Sequence, residues 1–164
     1  MSRLAQSLAN YRAYHRDRRN VLTHALGIPL IVLALEVLLA RPALPLAGVA
    51  LTPAIVASAA AAVWYLWLDL KMGLLMTGLL ALFVAVGSQI AQLSTGAWLG
   101  LGLGLFLVGW VLQFLGHHYE GRKPAFVDDV RSFLVGPLFM VAEGLFALGL
   151  LGDLRRQVEA DQPH

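Results

Sequence analysis

The residues best suited to chemistry are histidines, four of which lie in two polar stretches of the chain: His15, His24, His117 and His118. A fifth, His164, is the last residue of the sequence. Imidazole nitrogens bind iron, zinc, copper and nickel, and nearby carboxylates favour iron or zinc. The chain has no cysteine, which excludes thiolate ligands and cysteine-bound iron–sulfur clusters. The histidines therefore indicate a metal site, with a two-histidine haem site as the lesser alternative.

The spacing of His15 and His24 requires a break in the backbone between them. They are nine residues apart, which on one straight helix places them about 180° apart around the axis. A change from an interfacial helix to a membrane span near Asn20 would supply that break. Asn20 and His24 are four residues apart and share a helix face, so Asn20 is expected beside His24.

The second polar stretch carries a polar stripe on one helix face. Gln113, His117 and Glu120 occur at positions i, i+4 and i+7, so an amide, an imidazole and a carboxylate share one side. A single histidine at a membrane interface is usually only a polar residue at the water boundary. Four histidines together with Glu120 are a stronger indication of a metal site.

Several charged residues have both a functional and an ordinary interpretation. Glu36 and Glu143 fall inside apolar runs, where a charge is costly and usually faces the bundle interior. Each is either a metal-site partner or proton carrier, or a protonated or helix-bridging carboxyl. The cations Arg19, Arg122 and Lys123 are candidates to hold a carboxylate or phosphate head group, although an ordinary basic flank of a membrane span explains them equally well.

The composition indicates the kind of scaffold that positions these residues. Of the 164 residues, 59% are hydrophobic and 13% are charged, and the mean hydropathy is +0.71. Soluble domains are roughly 45–50% apolar and about 25% charged. The apolar residues are concentrated in runs near the ~20 residues that cross a bilayer as a helix. The chain is therefore predicted to be an all-α integral membrane helical bundle.

The apolar runs predict about four to five spans in a single domain, residues 1–164. A polar segment with apolar residues at helical spacing predicts an interfacial helix over residues 2–20. The spans are expected at about residues 21–40, 46–68, 72–93, 97–116 and 133–151. Gly136 and Pro137 interrupt the fifth run, which favours a broken or re-entrant helix there.

The basic residues predict the orientation of the chain. Five arginines precede the first apolar run: Arg3, Arg12, Arg16, Arg18 and Arg19. Such flanks mark the cytoplasmic side and favour anionic lipid head groups. Two successive hairpins then bring residues 12–24 and 113–123 to that same face. No basic soluble surface indicates nucleic-acid binding. The Ala/Leu/Gly-rich spans, without an obvious retention signal, favour a bacterial inner membrane with the histidines on the cytoplasmic side.

Two stretches resemble a known family, the fungal endoplasmic-reticulum 2-hydroxy fatty acid dioxygenases with their bacterial and plant relatives. The stretches are YHRDRRNVLTHALGIPL, residues 14–30, and WVLQFLGHHYEGRKPAF, residues 110–126. A weaker similarity follows at Pro137, Glu143 and Phe146. His118 is a departure, because the fungal pattern has glycine there. The resemblance extends in order over nearly the whole chain.

The resemblance implies an iron(II)-dependent dioxygenase that converts a 2-hydroxy fatty acid and O2 into a fatty acid one carbon shorter. His15, His24 and His117 are then expected to bind iron, with Glu120 or His118 as further ligands. The residues expected to hold and orient the imidazoles are Asn20, Gln113 and Glu143. The substrate would chelate iron through its carboxylate and 2-hydroxyl, and its tail would stay among the helices in contact with membrane lipid.

Two rival functions remain open from the sequence. A small transporter or proton channel would use Glu36, Glu143 and the histidines as an ion path, although such sites usually lie near the membrane midplane. A non-catalytic lipid-binding membrane protein would bind no metal and tolerate histidine substitutions. The spacing Gly100-x-x-x-Gly104 leaves a homo-oligomer open, with close helix packing inside the bundle as its commoner use.

Overall fold

A computed structural model describes residues 2–46 and 49–160 of the chain. Over those ranges it has seven α-helices, a two-stranded antiparallel hairpin and one turn of 3-10 helix at Ala125–Val127. The elements are α1 Arg3–Arg12, α2 Arg18–Leu39, β1 Leu44–Leu46, β2 Val49–Leu51, α3 Pro53–Leu68, α4 Leu70–Ile90, α5 Thr95–Glu120, α6 Ser132–Ala147 and α7 Gly152–Ala160.

The prediction of an all-α membrane protein is confirmed. Within the described part of the chain, three helices are long and apolar enough to cross a bilayer: α2, α4 and α5. The pair α6 and α7 would add a fourth span, but it is bent by 118°. At 16 residues, α3 is apolar but short. Many large apolar side chains on these helices are exposed, as expected for surfaces that face lipid.

The described residues form two compact units. The first comprises the chain through Ile28 and again from Val111 onward, and the second comprises Pro29–Trp110. Within the first unit, α1 packs against α6 and α7, and its buried face includes Leu4, Leu8 and Tyr11. In the second unit, Glu36 is buried and accepts a hydrogen bond of 2.6 Å from the Ser58 hydroxyl, as a helix-bridging carboxyl would.

The N-terminal segment is shorter as a helix than the expected 2–20. Ser2 caps α1 by accepting a hydrogen bond of 3.1 Å from the Ala5 N–H, and α1 ends at Arg12. Residues 13–17 then form a loop, here called the 13–17 loop. The Asp17 carboxylate accepts a hydrogen bond of 2.8 Å from the Arg19 N–H, so α2 begins at Arg18. The break therefore precedes Asn20.

The second and fifth apolar runs also differ from the expected spans. The hairpin occupies the start of the 46–68 run (residues 47 and 48 lie outside the described part), and Thr52 caps α3. In the fifth run, Pro137 lies inside α6, so the interruption is not at Gly136 and Pro137. The helix ends instead at a Schellman turn, in which the Leu150 N–H donates to Leu145 O and Gly149 has a φ of +75°.

Candidate metal centre

Three buried histidines come together in the first unit: His15, His24 and His117, here called the histidine triad. Each offers one ring nitrogen, and these nitrogens lie within 4.8 Å of one another. The ring centroids are 4.6 Å apart for His15 and His24, 5.2 Å for His15 and His117, and 4.8 Å for His24 and His117. Their exposed fractions are 2%, 1% and 8%. A buried group of this kind could hold a single metal ion.

The hydrogen bonds of the triad leave nitrogen lone pairs available. Nδ1 of His15 lies 2.9 Å from the Tyr11 carbonyl oxygen, and Nδ1 of His24 lies 3.0 Å from that of Asn20. A carbonyl only accepts, so in both rings Nδ1 carries the proton and Nε2 keeps its lone pair. Nε2 of His15 and Nδ1 of His117 are buried and have no protein partner among the described residues. The donor set therefore fits a metal ion.

The charge state of His15 favours the same conclusion. Burial lowers its pKa to about 4, so the ring is neutral at pH 7. A neutral imidazole is the form that binds a metal. Tyr11 stacks on this ring at a centroid distance of 4.1 Å and an interplanar angle of 10°, and Phe139 lies 5.2 Å from the Tyr11 ring. Tyr11 therefore packs against one face of the His15 ring, and Phe139 packs against Tyr11.

Local backbone geometry explains how His15 and His24 meet despite their spacing. The 13–17 loop separates α1 from α2, so His15 does not lie on the same helix as His24. The two rings approach edge-on at an interplanar angle of 70°. His117 comes from the last turn of α5. The required break was expected near Asn20, and it lies several residues earlier.

The structure does not bring Glu120 or His118 into the triad. The Glu120 carboxylate accepts hydrogen bonds from Arg16 N–H at 3.0 Å, Asp17 N–H at 2.9 Å and Asn20 Nδ2 at 3.0 Å. Both of its oxygens are therefore engaged with the 13–17 loop and the start of α2. His118 follows His117 on α5, about 100° further around the axis, and is exposed beside Tyr119.

The three residues expected to orient the imidazoles have different surroundings. Asn20 is fully buried, and its backbone carbonyl, not its side chain, holds the His24 ring. Gln113 is buried, but Nε2 of its amide has no partner among the described residues. Glu143 forms an ion pair of 2.9 Å with Arg12, which explains a carboxylate inside an apolar run.

The cations expected to hold a head group make other contacts. Arg19 pairs with Asp17 at 2.8 Å and lies over the Tyr119 ring. Arg122 donates to the Ala13 carbonyl at 3.2 Å. Lys123 pairs with Asp128. Arg19 and Arg122 therefore contact the 13–17 loop, and Arg122 supports it directly.

Sequence reasoning missed Tyr11, Phe139 and Gly116. Tyr11 lies four residues before His15, a separation at which ring stacking is available, so a signal was present. Gly116 permits the close approach of α5 to α2. A Cβ there would overlap Thr23 Oγ1 and Asn20 Oδ1, and would lie 2.9 Å from His24 Nδ1. In the sequence, this glycine differs from its neighbours on α5 in being one of the residues that carry the family resemblance, next to His117.

Gly116→Ala is expected to weaken metal binding and lower the thermal midpoint in detergent. The added methyl must displace the side chains of Thr23, Asn20 and His24, and overpacking of this kind costs about 1–3 kcal/mol. Zinc(II) affinity and thermal unfolding of the purified chain measure both effects. Gly104→Ala is the matched control, because a Cβ at Gly104 meets nothing within 4 Å. Equal metal affinity in the two variants would contradict the close-approach role of Gly116.

Comparisons with known proteins find similarity over most of the chain. The family model described as 2-hydroxy-palmitic acid dioxygenase Mpo1-like matches residues 1–148. The chain is similar to the 2-hydroxy-palmitic acid dioxygenase MPO1 of Saccharomyces cerevisiae, with 34% identity over 161 residues that cover 96% of this chain and 88% of the relative. No solved structure matches the chain. The family match includes every member of the histidine triad.

Proposed function

We propose that this chain, which belongs to the Mpo1-like family, is an iron(II)-dependent membrane dioxygenase. Its proposed reaction shortens 2-hydroxy fatty acids by one carbon. The observation that carries the proposal is the histidine triad, three buried imidazoles whose ligand atoms lie within 4.8 Å of one another. The yeast relative is named as a 2-hydroxy-palmitic acid dioxygenase, which supports the substrate class.

The triad supports iron(II) as the metal. Non-haem iron oxygenases combine a few nitrogen or oxygen ligands with open positions, and three imidazoles without a thiolate are compatible with that pattern. When bound, iron(II) would activate dioxygen for reaction with an organic substrate. Ordinary side chains do not perform this activation. His15 and His24 would bind through Nε2, because Nδ1 of each ring is held by a backbone carbonyl.

The proposed reaction balances without an outside electron donor. A 2-hydroxy acid, R–CH(OH)–COOH, and O2 give R–COOH, CO2 and H2O. The bond between the carboxyl carbon and the hydroxyl-bearing carbon breaks, that second carbon is oxidised to a carboxylic acid, and O2 is reduced. No flavin or nicotinamide is therefore required, and no dinucleotide-binding glycine motif is recognised in the sequence.

The protein around the triad has features that suit an amphiphilic substrate. Leu22 and Leu26 lie on α2 on either side of His24 in sequence, with exposed fractions of 55% and 65%. Phe114 is similarly exposed on α5. The helices that carry the triad therefore present exposed apolar surface along which an acyl chain can lie. Burial of the triad also limits access of bulk water.

The proposal predicts a defined stoichiometry for the purified, iron(II)-loaded chain. With 2-hydroxypalmitic acid labelled at the carboxyl carbon, labelled CO2 is expected in amounts equal to the shorter fatty acid and to the O2 consumed, without added reductant. Oxygen uptake, gas analysis and lipid mass spectrometry measure the three quantities. Unsubstituted palmitic acid, zinc(II) loading and anaerobic samples are the controls. Label retained in the fatty acid product would refute the proposed bond cleavage.

The same measurement separates the rival functions. A transporter or a non-catalytic lipid-binding protein would neither consume O2 nor depend on iron(II). Because Glu143 is paired with Arg12, it is less suited to the free proton carrier that the transporter interpretation requires.

A further inference from the structure

Four buried polar atoms of the first unit have no hydrogen-bond partner among the described residues: His15 Nε2, His117 Nδ1, Asn20 Oδ1 and Gln113 Nε2. The two imidazole nitrogens are explained by the metal site. Asn20 Oδ1 is an acceptor on a side chain whose amide nitrogen already donates to Glu120. The remaining atom, Gln113 Nε2, is a buried donor for which no described residue supplies an acceptor.

Gln113 is located next to the triad along α5. It lies four residues before His117, so the two side chains share a helix face, separated by about 6 Å along the axis. The side chain is only 7% exposed. Its immediate neighbours in the chain, Leu112 and Phe114, are apolar. Gln113 therefore places a buried amide one helical turn from His117.

A buried donor without an acceptor is unfavourable, and such groups in native proteins usually have a partner. The expected cations Arg19, Arg122 and Lys123 are engaged with Asp17, Ala13 and Asp128. The amide of Gln113 is thus the uncommitted donor that lies on the His117 face. A carboxylate is the acceptor that such a donor binds most strongly, because charge-assisted hydrogen bonds are shorter and stronger than neutral ones.

We propose that Gln113 binds the carboxylate of the fatty acid substrate, donating a hydrogen bond from Nε2 to one carboxylate oxygen. This inference rests on the proposed function for the identity of the substrate. It differs from the sequence expectation that Gln113 orients an imidazole, since no hydrogen bond joins its amide nitrogen to the triad. Gln113 then selects for an acid end group on the acyl chain.

The test compares two ligands that differ only in that end group. One is 2-hydroxypalmitic acid, and the other is the diol of equal length in which CH2OH replaces the carboxylate. Equilibrium binding of each is measured with the full chain in detergent, loaded with zinc(II) so that no turnover occurs. In Gln113→Leu, affinity for the acid is expected to fall by about tenfold or more, as for loss of one hydrogen bond to a charged group, while affinity for the diol changes little.

Two further variants make the experiment specific. Gln113→Glu keeps the shape of the side chain but replaces the donor by an oxygen, so it is expected to weaken binding of the acid further than Gln113→Leu. Gln89→Leu removes an exposed glutamine of α4 and is expected to leave both affinities unchanged. Zinc(II) content should be the same in all four proteins.

The outcomes that overturn the proposal are distinct. Equal weakening of acid and diol in Gln113→Leu would mean a packing defect, and unchanged acid affinity would mean that Gln113 does not contact the carboxylate. Either result leaves the proposed function standing. A wild-type chain that binds zinc(II) but neither ligand would overturn the substrate class and the role of Gln113 together.

Discussion

Replacing His117 by alanine is expected to remove bound iron(II) and to lower turnover of 2-hydroxypalmitic acid by more than about a hundredfold. The substitution takes one of three imidazoles from a buried group whose ligand atoms lie within 4.8 Å of one another. The two that remain would hold a metal ion weakly, because each lost ligand bond must be replaced by water in a largely buried site. Elemental analysis gives iron per chain, and oxygen uptake gives turnover.

His118→Ala provides the matched control for that substitution. It removes the same chemical group from the next position of the same helix, where the side chain is exposed and lies outside the triad. Iron content and turnover are expected to stay near those of the wild type. The opposite pattern, with iron lost in His118→Ala and kept in His117→Ala, would show that the metal site has a different ligand set. Thermal unfolding of metal-free samples tests whether either variant is misfolded.

Much of the candidate site was predictable because its key residues are chemically conspicuous. Histidines are few, and four of the five lie in two short polar stretches, so an argument from topology was enough to bring them together. The geometry of a straight helix also predicted a break between His15 and His24. The sequence could not place that break, because it depends on Asp17 capping α2 and on Glu120 accepting from the loop.

The limits of fold prediction have a physical cause in the second apolar run. Hydropathy measures transfer to an apolar phase, and it does not distinguish a strand from a helix over a few residues. The run was expected to be helical from residue 46, whereas β1 and β2 form a hairpin before Thr52 caps α3.

The fifth apolar run shows a second physical cause of a difference between prediction and structure. Proline can lie inside a helix of a membrane protein, as Pro137 does in α6. The 118° bend between α6 and α7 lies instead at the segment that contains Gly149.

Glu120 illustrates how helix periodicity can place a residue on a face without revealing the groups that its side chain contacts. Its spacing from His117 placed it on the same helix face, and a carboxylate beside imidazoles suggests a metal ligand. The groups that occupy its oxygens are backbone N–H groups of the 13–17 loop and the Asn20 amide, about a hundred residues away in the chain. Helix periodicity contains no information on such distant donors.

Glu120→Gln is therefore expected to lower iron(II) affinity by about 10- to 100-fold, the usual effect of removing a group that orients a metal ligand. The amide would present an NH2 donor to a loop that already presents donors, so the carboxylate's bonds to Arg16 and Asp17 cannot all be kept. The 13–17 loop would then loosen, and His15 with it. Metal titration of the purified chain measures the affinity.

Hydrogen exchange of the metal-free chain distinguishes this positioning role from direct metal ligation. If Glu120 holds the loop, the amides of Arg16 and Asp17 exchange faster in Glu120→Gln even without metal, because their acceptor is lost. If Glu120 were only a ligand, exchange in the metal-free chain would not change. Glu159→Gln removes an exposed carboxylate that pairs with Arg155, and it should leave both loop exchange and iron affinity unaltered. Faster exchange together with weaker binding would mean that the Glu120 carboxylate shapes the metal site by fixing the backbone that carries His15.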